Sequence, residues 1–220
     1  MSVWAVLVAA GRGERLGDDR PKAFARFGDL PLLAEPLRRL DESAWIDHVI
    51  VVVPPEWEEP AILLAEEIGA SKVAACVTGG ETRSDSVRAG VADVPDDAAV
   101  IVVHDAARPL VDDAVVERLV AALGEGFDGA VPVLRVQDTV KRVEDGVVLE
   151  TLSRDGLVTV QTPQAFVAPV LRAALTGVSQ ATDCASLVEA AGGRIAVVEG
   201  DERLLKITTQ ADLERVLAWL

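Results

Sequence analysis

The residue types best suited to phosphate chemistry lie in one stretch, L-V-A-A-G-R-G-E-R-L-G-D-D-R-P-K, from Leu7 to Lys22. An apolar, strand-like run from Val3 to Ala10 empties into a loop holding Gly11 and Gly13. That loop carries Arg12, Arg15, Arg20 and Lys22. Glycines let backbone N–H groups approach an anion closely, and the cations neutralise it. The rest of the chain has the opposite charge: 21 basic residues stand against 36 acidic ones, a formal net charge of −15. Only four of the basic residues are lysines (Lys22, Lys72, Lys141 and Lys206), so a lysine here marks a place where a compact point charge is wanted.

Two familiar loop types fit poorly. A dinucleotide fingerprint needs a third glycine where Leu16 stands, which also disfavours a dinucleotide-dependent dehydrogenase. A Walker-type loop needs a Gly-Lys pair that is absent. On spacing alone, a plain glycine turn with arginines on a solvated face remains the alternative. Three further segments change the weight of evidence: G-G-E-T-R-S-D-S-V from Gly79 to Val87, V-H-D-A-A-R-P from Val103 to Pro109, and T-P-Q from Thr162 to Gln164. With A-A-G-x-G-x-R-L-G and Pro21-Lys22 they occur in an order and approximate spacing that resembles the 2-C-methyl-D-erythritol 4-phosphate cytidylyltransferase family of isoprenoid precursor synthesis. The match runs nearly end to end.

The resemblance implies nucleotidyl transfer from CTP to a phosphorylated polyol. Gly11, Arg12 and Gly13 would give backbone donors to the β- and γ-phosphates. Arg15 and Lys22 would stabilise the pentavalent α-phosphate, where negative charge builds during in-line attack. Ala9 and Ala10 would pack near base and ribose. Gly80, Glu81, Arg83 and Ser86 resemble the base pocket, and Ala106 belongs with the nucleotide. Arg108, Thr139, Arg154 and Lys206 match positions that cradle the polyol phosphate, with Thr139 and Arg154 serving a partner subunit. Asp105 follows an apolar run and so emerges at a strand end. A hard carboxylate there suits Mg²⁺, although aspartate is also common as a helix or turn cap. Glu81 or Thr82 equally reads as a helix cap, and Arg154 as a surface arginine paired with Asp155 or Glu150. Two positions depart from the family pattern: Ala23 replaces a polar residue, and Cys184 in T-D-C-A-S replaces an acidic one, which puts in doubt any role for an acid there. A ribitol-5-phosphate cytidylyltransferase shares the nucleotide motifs and differs only in the polyol pocket. A catalytically silent nucleotide-binding module is the reading from another class, disfavoured by intact Arg15, Lys22 and Asp105.

The elements that must position these groups follow from hydrophobic patterning. Short valine-rich runs recur at Val3–Ala9, Val49–Val53, Val73–Val77, Val100–Val103 and Ala130–Val133, mostly without alternation, as strands buried on both faces read. Helix-like segments intervene at Leu32–Leu40, Ala61–Ile68, Asp85–Ala92 and Asp112–Leu123, and later at Ala181–Ala191 and Gln210–Trp219, with a further strand at Arg194–Glu199. This alternation predicts an α/β fold, a Rossmann-like three-layer sandwich with a mainly parallel sheet of the nucleotide-diphospho-sugar transferase type. Ligands of such sheets sit beyond the carboxyl ends of the strands. Residues 137–159 break the pattern: Val140, Val143, Val147 and Leu149 interleave with charges around an Asp145-Gly146 hairpin signal. That reads either as a solvated surface hairpin or, by the resemblance, as an arm exchanged in a homodimer. A length of 220 residues suits one domain with such an excursion.

Composition narrows the remaining classes. No apolar run approaches a bilayer-spanning length and the amino terminus lacks a signal-like pattern, so a soluble cytoplasmic protein without membrane partners is expected. Cys76 and Cys184 are too few for a disulfide framework, and His48 and His104 too few for a histidine-rich metal site. The negative charge opposes general nucleic-acid binding.

Overall fold

The computed structural model describes residues 2–11, 20–177 and 181–220; Arg12, Gly13 and Arg15 lie outside the described residues. In chain order the strands are β1 (Val3–Val8), β2 (Arg26–Phe27), β3 (Leu30–Pro31), β4 (His48–Val53), β5 (Val73–Thr78), β6 (Val100–Asp105) and β7 (Gly129–Arg135). They continue with β8 (Val140–Glu144), β9 (Val147–Leu152), β10 (Val158–Val160), β11 (Gln164–Val167) and β12 (Ile195–Glu199). The helices are α1 (Ala34–Glu42), α2 (Glu58–Glu67), α3 (Arg83–Ala92), α4 (Asp113–Gly124), α5 (Ala168–Leu175), α6 (Cys184–Ala190) and α7 (Gln210–Leu217).

The valine runs form the sheet because both of its faces are covered. Side chains alternate across a strand. Ala5 and Leu7, Val49, Val51 and Val53, and Val100 and Val102 therefore meet Leu37 and Leu40 of α1, Leu64 of α2 and Leu119 of α4 on one face. Trp4 and Val6, Ile50 and Val52, and Ile101 and Val103 meet Val87 of α3, Leu171 of α5 and Leu187 of α6 on the other. Full burial of a Val, Leu or Ile side chain contributes about 1.5–3 kcal/mol, so an alternating polar pattern would forfeit one whole layer. Strands β1, β4, β5 and β6 pair in parallel, with β1 between β4 and β6. β12 runs parallel to β7.

Two strands oppose this direction. β11 is antiparallel to both β6 and β7, and β10 is antiparallel to β7. Neither strand, nor α5 after them, is among the sequence expectations. Segments of three and four residues are too short to display a period. A small satellite core of Phe27, Leu32, Leu110, Ile207, Leu213 and Val216 docks α7 against the β2–β3 ribbon. Within the 137–159 excursion Val158 and Thr159 belong to β10 of the main sheet, while β8 and β9 form a hairpin with its own two-stranded sheet. Asp145 and Gly146 turn it with φ of 48° and 79°, the two positive values that a type I′ turn requires. Among the described residues no helix is long and apolar enough to cross a membrane.

Candidate active site

Parallel strands deliver their carboxyl ends to one edge of the sheet. Backbone bonds hold the exits together there: Ala9 N–H donates to Val52 O at 2.7 Å, Gly79 N–H to Val53 O at 2.7 Å and Ala106 N–H to Val8 O at 3.0 Å. A cavity of about 460 Å³ lies over these ends. From the first loop come Ala9, Ala10, Gly11 and Lys22; from the β5–α3 turn come Gly80, Glu81, Arg83 and Ser86. β6 and its exit bring Asp105 and Ala106, and the segment before α7 brings Lys206. Sequence reasoning missed the walls formed by Val8, Leu32, Pro54, Pro55, Gly79, Thr82 and Ala107. These side chains carry no charge, and only their position at strand exits could have signalled them.

The β5–α3 turn is built by capping and close packing. Thr82 is the N-cap of α3: its hydroxyl accepts from Asp85 N–H at 3.1 Å, and the Asp85 carboxylate accepts from Thr82 N–H at 3.2 Å, a reciprocal capping box. The cap is therefore Thr82, not Glu81, which faces the cavity. Ser86 Oγ donates to Thr82 O at 3.0 Å and accepts from Gly80 N–H at 3.2 Å. A side chain at either glycine would collide: a Cβ on Gly79 would sit 2.5 Å from Ala10 Cβ, and one on Gly80 would sit 2.3 Å from Asp85 Cβ.

Asp105 is the electrostatic centre. Its backbone ends β6, and its carboxylate is buried between two cations rather than capping a helix. Arg83 Nε donates to Oδ1 at 2.9 Å, and Lys206 Nζ donates to Oδ2 at 2.7 Å. Burial alone would raise this carboxyl's pKa; Arg83 and then Lys206 outweigh it and hold Asp105 well below the ordinary carboxylate range. Burial likewise draws the Arg83 guanidinium down, and Asp105 more than offsets that. Arg83 Nη2 lies 2.9 Å from the same Oδ1, but it is poorly aligned and has no hydrogen-bond acceptor among the described residues. Arg83 and Asp105 thus put a paired guanidinium and a carboxylate with a lowered pKa on the cavity lining.

Flanking groups complete the picture. Lys22 Nζ donates to Ile207 O, and Arg108 Nη1 donates to Leu204 O, so both cations grip the segment that carries Lys206. Arg108 does not line the cavity; its Nε is buried with no acceptor among the described residues, and burial lowers its pKa. Thr139 and Arg154 are exposed at the base of the arm and also lie outside the cavity lining. Arg154 donates to Gln137 O; the Glu150 partner expected for it is taken by Arg142 at 2.6 Å. Of the four expected polyol-phosphate residues, one chain thus brings only Lys206 to the cavity. His104 is fully buried, and burial lowers its pKa to about 4. Cys184 Sγ lies 3.7 Å from Arg83 Nη1, and burial raises its pKa to about 11. A neutral thiol thus stands where the family pattern has an acid. No group of three or more His, Cys, Asp or Glu residues that could hold a metal ion occurs among the described residues.

The comparisons with known proteins agree with this geometry. The family model described as IspD: 2-C-methyl-D-erythritol 4-phosphate cytidylyltransferase matches residues 3–220. The chain is 46% identical over 213 residues to a 2-C-methyl-D-erythritol 4-phosphate cytidylyltransferase of Nocardia farcinica, covering 96% of this chain and 91% of that one. It is 45% identical over 226 residues to the enzyme of the same name from Saccharopolyspora erythraea, covering 99% and 100%. The crystal structure of 2-C-methyl-D-erythritol 4-phosphate cytidylyltransferase from Thermus thermophilus superposes with a TM-score of 0.79 at 33% identity, over 97% of this chain and 96% of that one. A cavity at the carboxyl ends of the parallel strands, lined by the motif residues and matched along the whole chain, leads to one conclusion: the protein belongs to the 2-C-methyl-D-erythritol 4-phosphate cytidylyltransferase family of nucleotidyltransferases.

Proposed function

We propose that this protein joins CTP and 2-C-methyl-D-erythritol 4-phosphate to give 4-diphosphocytidyl-2-C-methyl-D-erythritol and pyrophosphate. The observation that carries the reading is the meeting of three distant motif segments and Lys206 on one cavity, whose volume of about 460 Å³ suits a small-molecule site. A phosphate oxygen of the polyol attacks the α-phosphorus of CTP in line. The bond from that phosphorus to the bridging oxygen breaks, and its electron pair leaves with pyrophosphate. No covalent enzyme intermediate is needed, so the protein's work is positioning and charge stabilisation. Gly11, with Arg12 and Gly13, donates to the β- and γ-phosphates, and Arg15 and Lys22 stabilise the α-phosphate. Ala9, Ala10, Ala106 and the Gly80–Ser86 turn hold base and ribose, a reading supported by their common position on the cavity lining.

Mg²⁺ fits this site through Asp105. The carboxylate stays ionised and faces the cavity, and each oxygen keeps a lone pair beyond its single cation partner. A single carboxylate completed by substrate phosphates is an ordinary Mg²⁺ arrangement. The ion would neutralise charge on the phosphate oxygens. Lys206 and Arg108 supply cations for the polyol phosphate, and the Arg108 Nε–H has no acceptor among the described residues. Thr139 and Arg154 act in the partner subunit's site, within a homodimer formed through the arm. A cytoplasmic setting belongs to the same reading and is supported by Cys76 and Cys184 being free thiols.

The decisive experiment follows pyrophosphate release with CTP, UTP, ATP or GTP against 2-C-methyl-D-erythritol 4-phosphate and ribitol 5-phosphate. The expected result is turnover with CTP and the methylerythritol phosphate, abolished by chelator and restored by Mg²⁺. Preference for the ribitol substrate would reassign the polyol pocket. Full activity in excess chelator would remove Asp105 as a metal ligand.

A further inference from the structure

Two turns that line the cavity are joined by an aromatic pair. One is the short 3-10 turn Lys22–Phe24, which brings Lys22 and Ala23 to the lining. Its backbone closes on itself, with Phe24 N–H donating to Pro21 O at 2.8 Å and Ala25 N–H to Lys22 O at 3.1 Å. The other turn joins β4 to α2 and brings Pro54 and Pro55 to the lining. Trp57, the N-cap of α2, closes it by donating its N–H to Pro54 O at 3.2 Å. Neither Phe24 nor Trp57 lines the cavity. Their rings pack on each other, with centroids 4.3 Å apart and planes tilted by 39°.

Phe24 is buried in the main core, and the half-buried Trp57 packs against that core. Three properties of the β4–α2 turn go beyond simple burial. Trp57 makes no side-chain cap hydrogen bond, although serine, threonine, aspartate or asparagine at an N-cap would supply one. Glu56, immediately before it, has φ of 69°, a left-handed conformation uncommon outside glycine. Such a conformation persists only where its surroundings over-determine it, and these residues cluster at functional sites. Pro54 and Pro55 fix φ on the preceding side. The turn is therefore stiff, and it leaves the centre of the sheet, since β4 is paired on both edges, with β1 and with β5. A tilted aromatic pair is also directional in a way that aliphatic contact is not.

We propose that Trp57 is a positioning residue: through its ring on Phe24 it fixes the turn that carries Lys22, and so the aim of the Lys22 ammonium at the α-phosphate. Phe24 and Lys22 belong to one hydrogen-bonded turn, so a shift of the Phe24 ring moves the backbone on which Lys22 is mounted. A cation that stabilises a transition state must be held to a fraction of an ångström, and packed neighbours supply that precision. The stiff β4–α2 turn is the fixed side of the pair, and the Lys22–Phe24 turn is the side that it holds. The inference rests on the nucleotidyl-transfer reading, in which Lys22 acts on the α-phosphate.

The test uses the full chain and the cytidylyltransferase assay, with circular dichroism and melting recorded in parallel. Trp57→Leu keeps an apolar side chain and loses the ring. It should lower kcat about fivefold or more and leave KM for both substrates within about twofold, because Lys22 acts in the transition state. Trp57→Phe restores an aromatic partner and should return kcat to within about twofold of wild type. Because Trp57 acts through Lys22, adding Trp57→Leu to Lys22→Ala, read at high enzyme concentration, should cost less than about twofold more. Wild-type kcat in Trp57→Leu, no recovery in Trp57→Phe, or a loss that adds in full on Lys22→Ala would overturn the proposal. So would an unchanged kcat with a raised KM for CTP, which would make Trp57 a support of the Pro54–Pro55 wall alone. Should Trp57→Leu not fold, Trp57→Met takes its place with the same outcomes. A wild-type protein inactive with every nucleotide and both polyol phosphates would overturn the functional reading and the inference with it, and the wild type alone tells that result apart from the others.

Discussion

Asp105 is buried with a guanidinium on one oxygen and an ammonium on the other. Removing one partner of a buried ion pair costs about 3–5 kcal/mol because a charge is left uncompensated; here the carboxylate has two partners, so either can leave for a phosphate while the other remains. The neighbouring histidine has the opposite problem. His104 is fully buried and neutral, with both ring nitrogens committed and its pKa lowered by burial to about 4. Unfolded, it would titrate near 6.5, so between these values the unfolded chain binds the extra proton and stability rises with pH. The stability is present above about pH 6.5 and is lost as pH falls toward 4, about 2 kcal/mol between pH 7 and 5. Urea unfolding in metal-free buffer checks this. The slope across that window should vanish in His104→Gln, and an unchanged slope there would show that other groups carry it.

At the scale of elements, the β5–α3 turn is where local sequence and function coincide most closely. The G-G-E-T-R-S-D-S motif is a nucleotide-pocket signature by resemblance and, physically, a helix start with its own capping box. The two readings reinforce each other, since the cap fixes the backbone on which Glu81 and Arg83 are mounted. Thr82→Ala should cost about 1 kcal/mol through the lost cap. Gly80→Ala should do more harm than its size suggests: the added methyl would overlap Asp85 Cβ at 2.3 Å and push against the same cap. The expected outcome is a lower melting temperature together with weaker CTP binding by calorimetry. Gly80→Ala with both properties intact would mean that the turn yields without consequence.

For the whole molecule, the arm is the feature that one chain leaves exposed. Val143, Val147, Val148 and Leu149 are 54–63% exposed on a hairpin that, among the described residues, pairs with no other strand. A two-stranded hairpin is marginal by itself, and exposed apolar strands invite pairing. Docking on a second copy would cover these side chains and bring Thr139 and Arg154 to the partner's cavity. A mixing experiment follows. Lys22→Ala should lower kcat about 10²-fold or more, and Arg154→Ala should impair the polyol site. If the sites are composite, a heterodimer of the two variants carries both lesions in one site and none in the other, so subunit exchange restores part of the activity. If each site is built from one chain, mixing restores nothing. A monomer at micromolar concentration by sedimentation would also count against the arm exchange.

What the sequence determined by itself was local or patterned. The valine runs declared strands covered on both faces because the hydrophobic effect reads composition directly. Asp145-Gly146 declared its turn, and the D-A-A-R-P segment, Lys22 and Lys206 stood out as charged positions that the fold brings to one cavity. Tertiary structure decided what depends on distant residues meeting. Arg83 and Lys206 come together on Asp105 only because α3 and the segment before α7 approach the same strand end. The same assembly turns Arg108 toward Leu204 and leaves Thr139 and Arg154 outside the cavity of their own chain. It also gives Thr162 and Gln164 their partners, because β10 and β11 enter the sheet antiparallel and carry the T-P-Q segment behind Asp105. Periodicity cannot report such pairings: hydrogen bonds between residues far apart in the chain leave no spacing in the sequence.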